Sequence, residues 1–317
     1  TLCGGARLIL LDANEFIPNH DFKNLDAYRG YGDHVNSYVR WYCNRNRKVE
    51  GDEWDKLYWQ TYLNGARARI LNDYLLFLER KRDPRSMFYK PKIKQFEKFK
   101  LIEAYQGMLD DRYDRLCISL PPGTGKTTLL KFFHSAIIGW FPEDYSLFCS
   151  HSGDITRMYY DGVYQMIDDT IEYAWNEIFP GLKITSTNAL MQQFNVGSYK
   201  PFRSLQTTSI GANSSGKVRA NKYLLSDDLI GNSEQALNKN YLDKIWRFYS
   251  VDAKQRKTVD SDGKSCKEIM QATRWSNQDV IGRVIILYQD DPRTKIISVP
   301  AVDPITGESN FNYAVGG

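Results

Sequence analysis

The sequence predicts an α/β fold in which a mostly parallel central sheet is flanked by helices, preceded by a small helical subdomain. Beyond residue 87, short apolar runs of strand length alternate with segments of helical periodicity, which is typical of parallel sheets covered on both faces. Over residues 34–82, apolar side chains instead recur at the spacings of three and four residues that mark helices. A glycine-rich turn at residues 121–125 joins one apolar run directly to a helical segment.

The boundary between the two predicted domains lies near the sequence RDPRS at residues 82–86, where proline and polar residues end the helical pattern. Residues 1–87 form the predicted helical subdomain and residues 88–317 the larger α/β domain. Charged residues fill the helix faces that the apolar residues of the subdomain leave free. The simpler interpretation is that these faces are solvated; the alternative is that their arginines and tyrosines contact nucleic acid.

Within the larger domain, the predicted helices and strands alternate along the chain. The helices have apolar residues at three- and four-residue spacings, and the strands are short apolar runs with polar or glycine residues at their ends. Helices are predicted at residues 93–108, 127–140, 154–179, 234–251 and 277–288. Strands are predicted at residues 115–120, 146–151, 193–196, 204–208, 223–226, 268–272 and 295–299.

The composition excludes several classes of protein. The chain has 317 residues, 25% of them charged and 42% hydrophobic, which excludes disorder of the whole chain. Its formal net charge of +4 excludes a protein coated in basic residues and leaves room for a local basic patch. No apolar run approaches the ~20 residues of a membrane helix, and the first residues do not resemble a signal peptide. The absence of an initial methionine predicts a fragment or a trimmed product.

The five cysteines and four histidines indicate neither a disulfide framework nor a zinc site. The cysteines form no CxxC pair. Two of them, Cys117 and Cys149, lie in predicted apolar strands, which predicts reduced thiols in the cytosol. The histidines lack the mutual spacing of zinc ligands.

The most informative segment is PPGTGKTT at residues 121–128, between an apolar strand and an apolar helix. A phosphate-binding loop occurs in this context: its glycines let backbone N–H groups surround an anion, and the helix N-terminus faces the phosphates. Lys126 is predicted to reach the β- and γ-phosphates of a nucleotide, and the Thr127 hydroxyl to ligate Mg²⁺. Leu120 stands where the pattern GxxxxGK[ST] has its first glycine. The predicted nucleotide-binding residues of this segment are Pro122, Gly123, Thr124, Gly125, Lys126, Thr127 and Thr128.

A phosphate-binding loop needs an acidic partner for Mg²⁺ at the end of a neighbouring strand. The chain has four Asp-Asp pairs, and only Asp227 with Asp228 closes an apolar strand. Asp227 is therefore predicted to hold Mg²⁺ through the water shell of the ion. Asp228 is predicted to orient or deprotonate the attacking water, with Glu234 as the alternative base. A carboxylate that only caps the next turn is the structural alternative for Asp228.

Several motifs together resemble one family, the large terminase subunit of tailed bacteriophages, which is the ATPase motor that packages DNA. The family has an apolar residue at the start of its phosphate loop, as Leu120 is here. Residues 211–220, GANSSGKVRA, are similar to its glycine-serine stretch and basic residue before the acidic strand end. The segment ATRW at residues 272–275, with DVIGR at residues 279–283, resembles its coupling motif and the helix behind it. With residues 297–301, which resemble its last ATPase strand, the resemblance covers about residues 88–305.

The resemblance implies a P-loop NTPase fold of the ASCE type, with ATP and Mg²⁺ as its ligands. It implies that Gln95 contacts adenine, where a polar helix residue is the alternative, and that Thr273 senses the γ-phosphate. It also implies an arginine that acts on the ATP of a neighbouring subunit. Arg219 is the first candidate and Lys217 the second, although Arg219 could simply be a surface residue. The predicted catalytic residues are Asp228, Lys126, Arg219 and Thr273.

The segment after Thr273 also has a structural interpretation. Arg274 and Trp275 could pack the edge of the sheet instead of coupling two sites. Ser276 is predicted to cap the next helix, with Asp279 three residues on as its capping-box partner.

The implied function is hydrolysis of ATP that powers movement of double-stranded viral DNA into a procapsid. The implied partners are duplex DNA, the portal protein and the small terminase subunit. The implied assembly is a homo-oligomeric ring at the portal vertex in the bacterial cytoplasm, with a monomer in isolation as the alternative. Translocation must ignore sequence, so DNA contacts should fall on phosphates. The candidates are Lys254, Arg256, Lys257 and Lys264, with a solvated loop as the alternative.

The nuclease domain that the family carries has no counterpart in this sequence. We therefore expect this chain not to cut DNA, because a two-metal nuclease needs several spaced acidic ligands.

Three other functions are weaker alternatives. A helicase-like translocase would carry a second motor domain with its own arginine motif, which this sequence lacks. A nucleotide-binding switch or scaffold that does not hydrolyse ATP would have a degraded acidic strand end, whereas Asp227 and Asp228 are both present. A small-molecule kinase would need an arginine-rich lid after the phosphate loop, and residues 129–150 contain no arginine.

Overall fold

The computed structural model of the chain describes residues 52–212 and 217–311. Contacts between residues divide the chain into two compact units. Over the described residues, the first unit comprises residues 52–90 together with Ile171–Pro180. The second comprises Pro91–Thr170 and the described residues from Gly181 onward.

The helices and strands are numbered here in chain order over the described residues. The helices are α1 Asp52–Arg67, α2 Leu71–Leu78, α3 Ile93–Lys98, α4 Leu101–Leu109, α5 Lys126–Trp140, α6 Gly153–Asp168, α7 Trp175–Ile178, α8 Ser233–Leu237, α9 Lys239–Arg247 and α10 Val280–Tyr288. The strands are β1 Arg115–Ser119, β2 Ser146–Ser150, β3 Ile184–Asn188, β4 Gln193–Val196, β5 Leu205–Ser209, β6 Tyr223–Asp227, β7 Lys267–Ala272 and β8 Thr294–Ser298. After α9 the chain continues as a π-helical segment, Phe248–Ala253, and a 3₁₀ turn, Lys254–Arg256.

Within the described residues, the first unit consists of α1, α2 and α7. Arg67 at the end of α1 donates hydrogen bonds to the carbonyls of Glu177 and Ile178 in α7, at 2.7 and 3.2 Å. After α2, the buried carboxylate of Glu79 accepts the backbone N–H groups of Phe88 and Tyr89, each at 2.8 Å. These bonds to a buried acceptor hold the turn that follows α2 in one conformation. Residues 34–51 of the predicted helical pattern lie outside the described residues.

The second unit is built on an eight-stranded sheet with the order β3-β4-β5-β2-β6-β7-β1-β8. From β5 to β8 the neighbouring strands pair in parallel, and β3 and β4 add an antiparallel edge. This confirms the predicted mostly parallel sheet flanked by helices. Cys117 in β1 and Cys149 in β2 are free and fully buried, and burial raises the pKa of both thiols to about 12.

Strand β3 has no counterpart among the predicted strands. Its residues ITSTN are mostly exposed and polar, so they carry no apolar pattern by which a strand could be predicted. It forms the outer edge of the sheet by pairing only with β4.

Three predicted helices are interrupted in the structure. The helix predicted at 93–108 consists of α3 and α4, separated at Lys100, whose φ of 54° is left-handed. The helix predicted at 154–179 ends with α6, and Asp169 continues in extended backbone before α7. The helix predicted at 234–251 is divided by Asn238, which caps α9 by accepting the N–H of Tyr241 at 3.1 Å. Described helices all fall short of the length and apolar content that a membrane span requires.

A buried ionic cluster around Glu268 ties the middle of the sheet to the π-helical segment. The carboxylate accepts Lys257 Nζ at 2.6 Å and the hydroxyl of Tyr249, and Arg115 Nε lies 3.5 Å away. Burial would raise the pKa of Glu268, but the surrounding cations outweigh this effect and lower it to about 2. These cations are Lys257, Lys254 and Arg115.

We predict that Glu268→Gln lowers the free energy of unfolding at pH 7 by about 3 kcal/mol, because it leaves buried cations without their partner. The native carboxyl stays ionised down to about pH 2, whereas an ordinary glutamate protonates near pH 4.5. The difference between wild type and variant should therefore be constant above pH 5 and shrink as the pH falls toward 2. Urea unfolding at several pH values measures it.

The matched control is Asp243→Asn, which removes a half-exposed partner of Arg283. A loss below about 1 kcal/mol is expected there, as for other surface ion pairs. Equal losses for the two variants would show that the Glu268 cluster has no special role in stability.

Candidate active site

The three predicted motifs meet at the carboxyl edge of the sheet. Strand β7 lies between β1 and β6 and pairs in parallel with both, so the carboxyl ends of all three strands lie at one edge. In register, Ser119 of β1 lies opposite Ala272 of β7, and Gln271 of β7 lies opposite Asp227 of β6. The loop after β1, the acidic end of β6 and Thr273 after β7 are therefore neighbours in space.

The loop that joins β1 to α5 has the backbone of an anion-binding turn. Gly123 and Gly125 have φ values of 73° and 93°, in the left-handed region that favours glycine. Thr124 between them is buried, and its hydroxyl donates to the carbonyl of Pro121 at 3.0 Å. No side chain caps the start of α5. Its first backbone N–H groups are therefore available to donate hydrogen bonds to an anion. Leu120, in place of the first glycine of the usual pattern, is buried in the core.

Lys92, which the sequence analysis does not assign, holds this loop from a preceding turn. Its Nζ donates to the carbonyl of Thr124 at 3.0 Å. Burial lowers the pKa of this lysine below its usual range. Gln95 lies three residues further along, half-buried on α3. No local motif marks Lys92, so only the folded chain identifies it.

Lys126 and Thr127 at the start of α5 contact the two acidic residues at the end of β6: Lys126 contacts Asp228, and Thr127 contacts Asp227. Lys126 is 7% exposed, and its Nζ donates to Thr273 Oγ1 at 3.1 Å and lies 3.3 Å from Asp228 Oδ2. The hydroxyl of Thr127 donates to Asp227 Oδ2 at 2.6 Å. Five of the predicted residues are thus joined in one set of contacts.

Asp227 is a fully buried carboxylate at the end of β6. Burial, together with the neighbouring charge of Asp228, raises its pKa above the ordinary range. Its Oδ2 accepts the Thr127 hydroxyl, whereas no donor reaches its buried Oδ1 with full hydrogen-bond geometry. The amide of Gln271 on β7 faces this carboxylate and partly offsets the rise in the pKa of Asp227, and the oxygen of that amide accepts Tyr105 at 3.2 Å.

The residues at this position suit Mg²⁺. A threonine hydroxyl and a carboxylate are oxygen ligands of the kind that Mg²⁺ prefers, and an unbonded buried oxygen is an acceptor that a cation would satisfy. Among the described residues, no group of three or more His, Cys, Asp or Glu side chains is placed to hold a metal ion. Thr127 as a direct ligand and Asp227 acting through water suffice for Mg²⁺, because this ion commonly keeps several waters and takes phosphate oxygens of a substrate.

The backbone N–H, the backbone carbonyl and both carboxylate oxygens of Asp228 each have a polar partner. Its φ of 39° is left-handed, a conformation that costs a non-glycine residue on the order of 1–3 kcal/mol. Its N–H donates to the carbonyl of Gln271 at 3.0 Å, and its Oδ1 accepts the N–H of Thr273 at 2.8 Å. Its Oδ2 faces Lys126, and its carbonyl accepts Nδ1 of His151 at 2.6 Å.

His151 is absent from the predicted site. The signal that could have found it is its position directly after the apolar strand β2, which is the neighbour of β6. A polar residue at that point of a parallel sheet lies at the same edge as the end of β6.

The remaining predicted residues make their contacts elsewhere. Arg219 donates from Nη1 to the carbonyl of Gln255 at 2.8 Å, and its backbone pairs with the side chain of Gln206. Lys217 and Glu234 are exposed, and Thr128 is half-buried on α5. Residues 213–216 of the stretch before Arg219 lie outside the described residues.

The turn after Thr273 differs from the prediction. Asp279, not Ser276, caps α10: its Oδ1 accepts the N–H of Gly282 at 2.7 Å. Its Oδ2 accepts Nε of Arg274 and the N–H groups of the next two residues, at 3.0 to 3.3 Å. The Ser276 hydroxyl instead closes a local turn with the N–H of Gln278. The capping residue was misplaced because both serine and aspartate suit the cap and the helix begins at residue 280, three residues later than predicted.

The predicted DNA-contacting residues are mostly engaged with carboxylates of the same chain. Lys257 bonds Glu268 at 2.6 Å, Lys254 lies 3.9 Å from the same carboxylate, and Lys264 bonds Asp111 at 2.5 Å. Only the Lys264 pair is largely exposed to solvent. Their charges therefore stabilise the fold, and a phosphate would have to compete with these acids.

We predict that Asp227→Asn leaves the free energy of unfolding of the ligand-free protein unchanged or raises it by about 1 kcal/mol. The reason is that a neutral amide costs less to bury than a carboxylate with another carboxylate beside it. The control is Asp144→Asn: Asp144 is equally buried but accepts Asn221 at 2.8 Å and faces Lys222 at 3.3 Å. This variant should lose about 3 kcal/mol in the same urea titration. Similar losses for both would contradict the assignment of Asp227 as an unsatisfied charge.

A comparison with protein-family models finds no match for the chain, and a comparison with curated proteins finds none either. Among solved structures, the chain is similar in fold to the large terminase of bacteriophage HK97, with a TM-score of 0.47 and 12% sequence identity. The matched region covers 74% of this chain and 44% of that one. The chain therefore spans less than half the length of this terminase.

Proposed function

We propose that the chain hydrolyses ATP with the help of Mg²⁺ and that hydrolysis drives double-stranded viral DNA into a procapsid. One observation carries the ATPase proposal. The loop lysine, Lys126, lies within bonding distance of both Asp228 and Thr273, while the loop threonine bonds Asp227 at 2.6 Å. A cation, a hydroxyl and two carboxylates at the end of an anion-binding loop are the groups that phosphoryl transfer to water requires.

The order of strands supports the further proposal that residues 88–317 form a P-loop ATPase domain of the ASCE type. In that class an additional strand separates the phosphate-loop strand from the acidic strand, and β7 lies between β1 and β6 in this way. Thr273 at the end of that strand is then next to both motifs, where a γ-phosphate sensor belongs.

Each residue has one role in the proposed reaction. Thr127 directly, and Asp227 through the water shell of the ion, would hold Mg²⁺, which when bound would supply positive charge near the phosphates. When ATP binds, Lys126 turns from Asp228 to the phosphate oxygens. Asp228 Oδ2, released from the lysine, accepts a hydrogen bond from the attacking water and orients it. The Thr273 hydroxyl, which Lys126 also releases, then bonds the γ-phosphate.

The DNA-packaging part of the proposal rests on the motifs that resemble the terminase large subunit. The proposed partners are duplex DNA, the portal protein and the small terminase subunit, in the bacterial cytoplasm at the portal vertex. We propose Gln95 as an adenine contact and Arg219 as the residue that acts on the ATP of a neighbouring subunit in a ring. The half-buried position of Gln95 on the helix that follows Lys92 supports the first assignment.

Lys126→Ala should lower the rate of ATP hydrolysis at least about 100-fold, because the site loses its main positive charge for the phosphates. Phosphate release with and without duplex DNA measures this rate, and DNA should raise it in the wild type. Lys183→Ala, which removes an exposed lysine far along the chain from the loop, is the control and should keep wild-type activity. If the wild type shows no ATP turnover at high protein concentration and with DNA, the proposal of an ATP-driven DNA motor is refuted.

Arg219→Ala should lower hydrolysis by about 100-fold or more if the arginine acts on a neighbouring subunit. A mixture of Arg219→Ala and Lys126→Ala proteins should then regain activity, because each supplies the group that the other lacks. The control mixture, either variant with itself at the same total concentration, should stay inactive. Without recovery in the mixture, Arg219 serves only to bond Gln255 in its own chain.

A further inference from the structure

The end of β2 carries a histidine that no step of the proposed reaction uses. His151 follows Ser150, the last residue of β2, and β2 is the strand next to β6. Its Nδ1 lies 2.6 Å from the carbonyl oxygen of Asp228. A carbonyl oxygen only accepts hydrogen bonds, so Nδ1 must carry the hydrogen, and in the neutral ring Nε2 is then the acceptor.

Gly231 packs closely against the ring of His151. A Cβ at Gly231 would lie 2.8 Å from Cδ2 and 3.0 Å from Nε2 of His151, closer than side chains approach. The N–H of Gly231 donates to Oε1 of Gln235 at 2.9 Å, which holds this segment against the ring. The chain segment that follows Asp228 therefore packs directly against the imidazole of His151.

The bond to His151 acts on the residue with the most unusual backbone of the site. Asp228 has a φ of 39°, and in this left-handed conformation its carboxylate lies 3.3 Å from Lys126 Nζ. Two of its contacts involve residues that the proposed reaction uses: its Oδ2 faces Lys126, which leaves it when ATP binds, and its Oδ1 accepts the N–H of Thr273, the proposed phosphate sensor. The other two involve no phosphate-binding group: its N–H donates to the carbonyl of Gln271, and its carbonyl accepts the bond from His151.

We infer that His151 is a positioning residue for Asp228: its Nδ1–H holds the Asp228 carbonyl and so keeps the carboxylate aimed at the attacking water during turnover. This inference rests on the proposed ATPase function. It adds a residue that has no assigned contact with the nucleotide or with the attacking water and acts through Asp228. A residue of this kind should affect the rate of the chemical step and leave substrate binding intact, because a small misplacement of a catalytic group costs rate.

Three substitutions of His151 test this role. Asparagine places its amide nitrogen near the position of Nδ1, glutamine places it near Nε2, and alanine has no donor. We expect His151→Ala and His151→Gln to lower kcat for ATP by about 10- to 100-fold. His151→Asn should keep kcat within about 3-fold of wild type. KM for ATP, and binding of a non-hydrolysable ATP analogue with Mg²⁺, should change by less than about 2-fold in all three.

Several results would overturn the inference. One is an unchanged kcat in His151→Ala, and another is an Asn variant as slow as the Gln variant. A fall in analogue binding that matches the fall in kcat would show that His151 merely supports the site. If the alanine variant does not fold, as shown by urea unfolding, the comparison of Asn with Gln still decides. A wild-type protein without turnover refutes the proposed function and the inference with it, whereas the results above refute the inference alone.

The hydrogen bond itself has an independent test in the wild-type protein. NMR of protein with ¹⁵N-labelled histidine distinguishes a protonated from an unprotonated ring nitrogen, and the His151 signals are assigned by their loss in His151→Asn. We expect the hydrogen of the neutral ring on Nδ1. A hydrogen on Nε2 would exclude the bond to the Asp228 carbonyl and overturn the inference.

Discussion

The site depends on the parallel pairing of β7 with both β1 and β6. This backbone ladder brings a loop, an acidic strand end and a threonine within hydrogen-bond distance of one another, although the bonded residues Lys126 and Thr273 are 147 residues apart in the sequence. The side chains of these strands are buried under the elements that pack on the sheet, so the charges at the strand ends lie against a low-dielectric core. Water therefore screens these charges less than it would at an exposed surface.

At the carboxyl edge of the sheet, two adjacent carboxylates face a single lysine, and this excess of negative charge lowers the stability of the fold. Asp227 and Asp228 are adjacent carboxylates with a single lysine between them and the loop, and burial raises the pKa of the first. The cluster around Glu268, elsewhere on β7, has the opposite balance, with three cations to one acid and a lowered pKa. The first arrangement leaves a buried acceptor that a cation would satisfy, as we propose for Mg²⁺, whereas the second satisfies its own acid.

Sequence patterns were enough for the elements that are apolar and local. The glycine turn after β1, β1 and α5 themselves, and the strand that ends at Asp227 were predictable, because buried parallel strands and glycine turns leave a direct mark on the sequence. The polar edge strand β3 and the breaks at Lys100 and Asn238 were not, because they depend on pairing partners and backbone angles. Lys92 and His151 were missed for a related reason. Each acts through a backbone carbonyl distant in sequence, and a bond to a carbonyl places no demand on residue type that a motif could record.

Asp279 gives the turn after Thr273 a mechanical property. One of its oxygens bonds the segment 274–276 and the other bonds the first turn of α10, so a single carboxylate fastens both. Gly282 lies so close to the carbonyl of Asn277 that only a residue without a side chain fits there; a Cβ would be 2.3 Å from that oxygen. The turn and the start of α10 are therefore joined both by a shared carboxylate and by close backbone packing. We expect a displacement of Thr273 to be transmitted to the start of α10 through these contacts.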